Sequence, residues 1–307
     1  MGKFLLSGKR STLRTAEARL GYMFVAPAIL VMLGVAFIPL LSAFSLSLHG
    51  IDLRYPAHGR PFVGIANYIA LMGDPRFQNA LAITSAFAGA SVFLEFFLGL
   101  AVALIMNRDF HGRDVVRAAL LVPWALTTVI AARMWDWIYN AQYGIFNAIL
   151  KTLHVISTYR AWTIDPRFAF WAAILADVWK TAPFVALLLL AGLQLIPNEL
   201  YESAIIDGAN PWQRFRRITV PLLTPAILVA LLFRTLDAAR VFDLLFVLTG
   251  GGPGYATESL SLLTYRTLFV NLNFGSGSAL SVITFIYLMI ISFLFIRVLG
   301  ARAGRAV

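Results

Sequence analysis

The chain has 307 residues, 60% of them hydrophobic and 13% charged, with a formal net charge of +10. That is more apolar surface than a soluble domain of this length can bury, so the bilayer is the solvent and no large soluble domain fits beside it. The lack of cysteine excludes disulfides and thiolate chemistry. The cations are scattered over several segments, which suits membrane lipid rather than nucleic acid.

A membrane span needs about 20 mainly apolar residues to cross about 30 Å. Six stretches qualify, near 21–48, 79–106, 118–139, 168–195, 222–249 and 278–299. Residues 1–20 form a basic arm, in which Leu13, Glu17 and Leu20 alternate with Arg14 and Arg19 as in a short interfacial helix. The first span is too long, and lacks the small-residue cleavage site, for a removed signal peptide, so it is expected to stay as a membrane helix. Residues 49–78 form a connection with turn signals at Gly50, Pro56, Gly59, Gly64 and Gly73. The block 79–299 then carries five spans, and the short, charged Asp109–Arg117 connection predicts antiparallel neighbours. Span three holds Pro123, which predicts a kink, and then Arg133, Trp135, Asp136 and Trp137. The glycine-rich run Gly250–Gly254 has no following Lys-Ser or Lys-Thr pair, so it reads as a tight turn and not a phosphate loop. Gly275-Ser276-Gly277-Ser278 forms a flexible turn at the start of span six, and 300–307 is a tail.

Lys and Arg set the orientation. The arm (Lys3, Lys9, Arg10, Arg14, Arg19), the 108–117 connection (Arg108, Arg113, Arg117), the 196–221 loop (Arg214, Arg216, Arg217) and the C-terminal end (Arg297, Arg302, Arg305) hold fourteen. The opposite connections hold seven: Arg54, Arg60, Arg76, Lys151, Arg160, Arg167 and Arg266. The excess predicts that both termini and the 196–221 loop are cytoplasmic.

That loop is neither short and basic nor long and disordered. Glu199, Glu202, Ser203 and Ala204 fit a short amphipathic helix, Asp207 offers a side-chain acceptor, and Gly208 permits a sharp turn. Trp212, Phe215 and Ile218 recur every three residues, as on one apolar helical face. A helix-turn-helix at the membrane surface suits docking to another protein.

Several charges fall inside spans, where each costs at least about 2.5–3.5 kcal/mol at mid-bilayer. Span five carries Arg234, Asp237, Arg240 and Asp243, alternating in sign; span four carries Asp177 and Lys180; span two carries Glu95. Neighbours three apart on a helix can pair. Two readings stay open: a polar face that hydrogen-bonds a hydroxyl-rich solute, and an ion-pair ladder joining spans to each other or to a second subunit. Asp136 and Asp243 lie nearer the outer surface, as gate or interface groups.

The pattern Tyr201-Glu202-Ser203-Ala204-Ile205-Ile206-Asp207-Gly208-Ala209, followed by Phe215, Ile218 and Pro221, resembles the cytoplasmic signature loop of ABC importer permeases, with Ser203 where that family usually has alanine. Gly64-Ile65-Ala66-Asn67-Tyr68, Gly144-Ile145-Phe146-Asn147 and the stretch from Thr249 through Gly254 to Phe274-Gly275 resemble sugar permeases. The resemblance, to carbohydrate importer permeases of the maltose and trehalose type, runs from about Ala16 to Arg297. It implies an all-α, six-span fold of the type I importer class in a bacterial-type inner membrane. It implies a coupling role for Glu199, Glu202, Ser203, Ala204, Asp207, Gly208, Trp212 and Phe215, with Glu202 bridging to an ATPase arginine. It places substrate contacts on the helices before and after the loop: Asp177, Trp179, Lys180 and Thr181, and Arg234, Asp237, Ala238 and Arg240. It implies a second permease subunit, two ATPase subunits that use ATP and Mg, and an extracytoplasmic sugar-binding lipoprotein as partners, with no cofactor on this chain.

A rival from another class is an ion-coupled secondary sugar transporter, although no convincing inverted repeat is visible. An enzyme acting on lipid-linked sugars lacks its constellation: His49, His58, His111 and His154 stand alone, and no nucleophile motif occurs.

Overall fold

The computed structural model describes the backbone of residues 7–303 and the side chains of 18–298. Residues 1–6 of the arm and 304–307 of the tail, and the side chains of Lys9, Arg10, Arg14 and Arg302, lie outside the described residues. All regular structure among the described residues is helical.

Helix α1 (Ser7–Met32) passes through a π turn, Leu33–Phe37, into α2 (Ile38–Ser47). The turn sits just before Pro39, which has no N–H to continue the ladder. None of the most apolar window of Ala18–Ser47 is buried, which fits a helix sheathed by lipid. A short α3 (Ala66–Met72) precedes α4 (Pro75–Met106). Helices α4 and α8 (Pro166–Leu193) start with the same Asp-Pro-Arg device: Asp74 and Asp165 accept from the Arg76 and Arg167 N–H at 2.8 and 2.9 Å, with proline at the first helical position.

Span three is two helices, α5 (Arg113–Ala125) and α6 (Thr128–Ile138), bent by 94° where Leu126 and Thr127 are extended. The expected single helix over 118–139 is therefore broken, starting three residues beyond Pro123. Helix α7 (Ile145–Thr152) leads to α8, and α9 (Asn198–Ile206) follows it. Next, α10 (Pro211–Arg214) runs without interruption through a π turn, Phe215–Thr219, into α11 (Val220–Ala239). Span five thus begins inside the expected loop, and it ends early: the chain breaks at Arg240–Phe242 before α12 (Asp243–Leu248). Helices α13 (Leu260–Tyr265) and α14 (Phe274–Ala303) complete the chain. The expected flexible turn at Gly275–Ser278 is instead the first turn of α14, where the glycines allow close approach to the His49 backbone and the Leu268 side chain. Five stretches are long and apolar enough to cross a membrane, and the bent pair makes a sixth candidate.

Helices α4 and α8 form the central pair, α11 packs against both, and α14 joins α11 to α2. At Gly99 the backbones approach so closely that a Cβ would lie 2.8 Å from the Val185 side chain. One apolar cluster gathers Phe87, Trp135, Tyr139, Ile174 and Leu245. A second gathers Met106, Val185, Leu189, Leu193 and Leu223. Between them lies a polar layer at Glu95, Thr181 and Arg234, all buried.

The loops at the end away from α9 are stapled by side chains. Asn67 donates to the Ser47 and His49 carbonyls at 2.7 and 3.0 Å, and Tyr68 and Ser47 share a 2.6 Å hydroxyl bond. Asn147, fully buried, donates to the Asn140 and Arg160 carbonyls and accepts from the Arg160 N–H and Trp162 Nε1. Glu258, also fully buried, holds Arg76 at 2.7 Å and Arg266 at 2.6 Å, while Arg266 also donates to the Gly250 carbonyl. On the surface, Arg54 holds the Asp52 carboxyl below the usual carboxylate range through a side-chain hydrogen bond.

Candidate functional site

Two places carry the sequence-predicted residues. The first is the elbow between α8 and α11. Its turn is a Schellman closure: Gly208 N–H bonds the Ile205 carbonyl at 3.0 Å, and Ala209 N–H bonds the Ala204 carbonyl at 2.8 Å. Gly208 sits at φ +77, which a side chain with a Cβ rarely adopts. Asp207 was expected to order the turn, yet its carboxylate takes no hydrogen bond among the described residues; backbone bonds close the turn without it. Asn210 then begins α10 with a capping box, in which its side chain and that of Gln213 each bond the other's backbone at 2.9 Å. Proline at position 211 reinforces that start.

Inside the elbow, Tyr201 and Ile218 pack on the lower core, and the Tyr201 and Thr219 hydroxyls lie 3.0 Å apart. Phe215 stacks on Trp212 at 5.6 Å. The other face is open: Glu199, Glu202, Ser203, Asp207 and Trp212 are exposed, and Ala204 is half-buried. Trp212, expected with Phe215 to pin the loop beneath the bundle, is 66% exposed and does not do so. Glu202 lines an open groove of about 510 Å³ with Arg108, Tyr201 and Arg214, and makes no ion pair among the described residues.

The second place is the polar layer and the cavity beside it. Arg234 of α11, 2% exposed, meets Glu95 of α4 through two bonds, Nε to Oε2 at 2.5 Å and Nη2 to Oε1 at 2.7 Å. The same guanidinium reaches Asp177 of α8 at 3.2 Å and Asp237 at 2.5 Å. Thr181 donates to Glu95 at 2.7 Å, and Arg240 continues the ladder to Asp237 at 3.2 Å. The i,i+3 pairing expected on span five is present from Arg234 to Arg240. Asp243 falls outside it because the helix has already broken.

Beside this layer opens a cavity of about 280 Å³, lined by Thr128, Asp177, Lys180, Thr181, Asp237 and Arg240, with Val241, Phe242, Asp243 and Leu244 at its far side. Five of the eight expected pathway residues line it. Arg234 lies behind it. Trp179 faces elsewhere, edge-on to Trp135 at 5.8 Å, and Ala238 is buried against Ala88 and Val92. Glu95 is the cluster residue that sequence reasoning did not place at the site. Its only signal was an acid in an apolar run, since its partners lie 86 and 139 residues away.

A bundle of apolar helices, a polar cavity lined from α6, α8, α11 and α12, and an exposed elbow joining α8 to α11 are the parts of a transport permease. Residues 80–305 match the family described as binding-protein-dependent transport system inner membrane component, and the chain belongs to that family. It is a carbohydrate ABC importer permease and a multi-pass inner-membrane protein. It is 46% identical over 289 residues to the trehalose/maltose transport system permease protein MalF of Thermococcus litoralis, covering 94% of this chain and 96% of the relative. It is 42% identical over 294 residues to the trehalose transport system permease protein SugA of Mycobacterium tuberculosis, covering 96% and 93%. Among solved structures, a bacterial ABC transporter involved in import of the acidic polysaccharide alginate matches with a TM-score of 0.80. That match, at 22% identity over 95% of this chain and 99% of the other, speaks for the fold alone.

Proposed function

We propose that this chain is a permease subunit of an ATP-driven importer for a disaccharide of the trehalose and maltose kind. The carrying observation is that the cavity and the elbow share α8 and α11. Leu193 is 16 residues beyond Asp177 on α8, so at about 1.5 Å per residue the elbow lies roughly 24 Å from the cavity. A push on the elbow is therefore a tilt of two of the helices that line the cavity. The names of the two relatives, matched over nearly their whole length, support the choice of sugar.

In this reading the bent pair is one crossing, which gives six, with both termini and the elbow in the cytoplasm. The cavity is half of a translocation pathway completed by a second permease. Two separate ATPase subunits, using ATP and Mg, grip the elbow, and a sugar-binding lipoprotein delivers solute on the opposite side. Closure of the ATPase pair selects the outward-facing state. The ion-coupled alternative is disfavoured because the buried charges are of both signs and pair across three helices, whereas an ion path favours a ring of one sign.

The test is uptake of labelled trehalose and maltose by proteoliposomes that hold the complex purified through this chain, with binding protein outside. Uptake is expected with ATP inside the vesicles and no ion gradient. Uptake that follows a proton or sodium gradient and ignores ATP would overturn the proposal.

A further inference from the structure

The charges at the cavity divide into two sets. Arg234 has four of its five N–H bonds engaged: one by Asp237, two by Glu95 and one by Asp177. Asp237 has one oxygen on Arg234 and the other on Arg240. Arg234 and Glu95 have thus spent most of their hydrogen-bonding capacity inside the cluster, and Asp177 and Asp237 are each held by Arg234. Among the described residues, Lys180 and Asp243 also line the cavity yet make no ion pair or hydrogen bond, and the Thr128 hydroxyl is likewise free. They come from three elements, α8, α12 and the start of α6. Phe242 lines the cavity beside Asp243 and is held from behind, stacked on Phe246 at 5.3 Å and tilted against Tyr265 at 5.2 Å.

From this division we infer that Lys180 and Asp243, with the Phe242 ring as a wall, are the groups that touch the carried sugar. Glu95, Arg234, Asp177 and Asp237 are positioning residues that fix α4, α8 and α11 around them. The inference rests on the disaccharide reading above and deepens it. The chemistry is that of a neutral polyhydroxylated solute. An ammonium only donates and a carboxylate only accepts, whereas every sugar hydroxyl does both, so one solute satisfies both groups at once. The apolar face of a pyranose ring packs on an aromatic face such as Phe242. The break at Arg240–Phe242 serves this arrangement. An unbroken span five would continue the ladder to Asp243, whereas the break lets α12 present Asp243 and Phe242 to the cavity.

The test uses the intact complex purified through this chain and reconstituted with its binding protein. The readout is sugar carried per ATP hydrolysed for Asp243→Asn and Lys180→Met. Each is expected to lower that ratio about tenfold, the effect of losing one charged hydrogen bond, with Asp243→Glu recovering most of it. A panel of deoxy-disaccharides gives a reading that a structural role would not move. An analogue carried poorly by the wild type for want of one hydroxyl is expected to be carried as well as its parent by Asp243→Asn. An unchanged ratio in both variants overturns the inference. So does loss of the second permease from the purified variants, which assigns the pair to the subunit interface. A wild-type complex that carries no disaccharide with ATP refutes the functional reading instead.

Discussion

Around Arg234 the polar groups of three helices turn inward and bond one another; around Gly208 the backbone satisfies itself and the side chains are left facing out. The first arrangement locks α4, α8 and α11 by ion pairs whose members are 3% and 0% exposed at the Arg234–Glu95 contact. The second holds its shape with a Schellman turn and a capping box, leaving Glu199, Glu202 and Trp212 free. A lock has to be satisfied within the chain, whereas the docking surface proposed here has to keep its bonding capacity for a partner. The two are joined by the continuous helices α8 and α11, along which, in the proposed reading, force applied at one is felt at the other.

The comparison breaks most visibly at Arg234. Arg234→Met leaves three carboxylates around an apolar side chain, and breaking a buried pair costs about 3–5 kcal/mol. The expected outcome is a large fall in the thermal midpoint of the purified chain in detergent, or failure to accumulate in the membrane. Glu95→Gln is milder because Asp177 and Asp237 still face Arg234. It is expected to cost about 1.5–3 kcal/mol, and the Glu95→Gln/Arg234→Met double variant should be less destabilised than the two costs summed. At the elbow, Gly208→Val forces a β-branched residue to a φ of +77, at about 1–2 kcal/mol or somewhat more. Membrane insertion should survive, while sugar-dependent ATP hydrolysis by the complex is lost. Asn210→Ala removes one capping box and is expected to cost about 1 kcal/mol, with a modest decrease in the coupled rate. If the elbow variants proved the more destabilising and Arg234→Met were silent, the division into lock and docking surface would be reversed.

The elbow was largely legible in the sequence because its determinants are local. Gly208, the acidic first half and the Trp212–Phe215–Ile218 spacing all fall within residues 199–218, and Pro221 marks the π turn before it as Pro39 does in α2. The twin Asp-Pro-Arg starts of α4 and α8 are equally local. Pro123 signalled a kink but not the full break at Leu126–Thr127, and the break at Arg240–Phe242 was hidden because charges at 234, 237, 240 and 243 keep one helical spacing straight through it. Of the expected pathway set, five residues line the cavity, but the sequence had no means of telling a spent guanidinium from a free ammonium. Glu95 was visible as a buried acid, yet nothing within ten residues identified Arg234 as its counter-ion. The capping box at Asn210–Gln213 is equally local, carried by Asn-Pro-Trp-Gln.

The central claim is that the elbow is a cytoplasmic handle for a separate ATPase. The chain has no cysteine, so Glu202→Cys introduces a single thiol at the handle. Short bifunctional cross-linking of membranes bearing this variant in its complex is expected to join the chain to an ATPase subunit, and intact cells are expected to protect the thiol from a membrane-impermeant maleimide. Labelling of that thiol from outside intact cells, with no cross-link to an ATPase, would contradict the account.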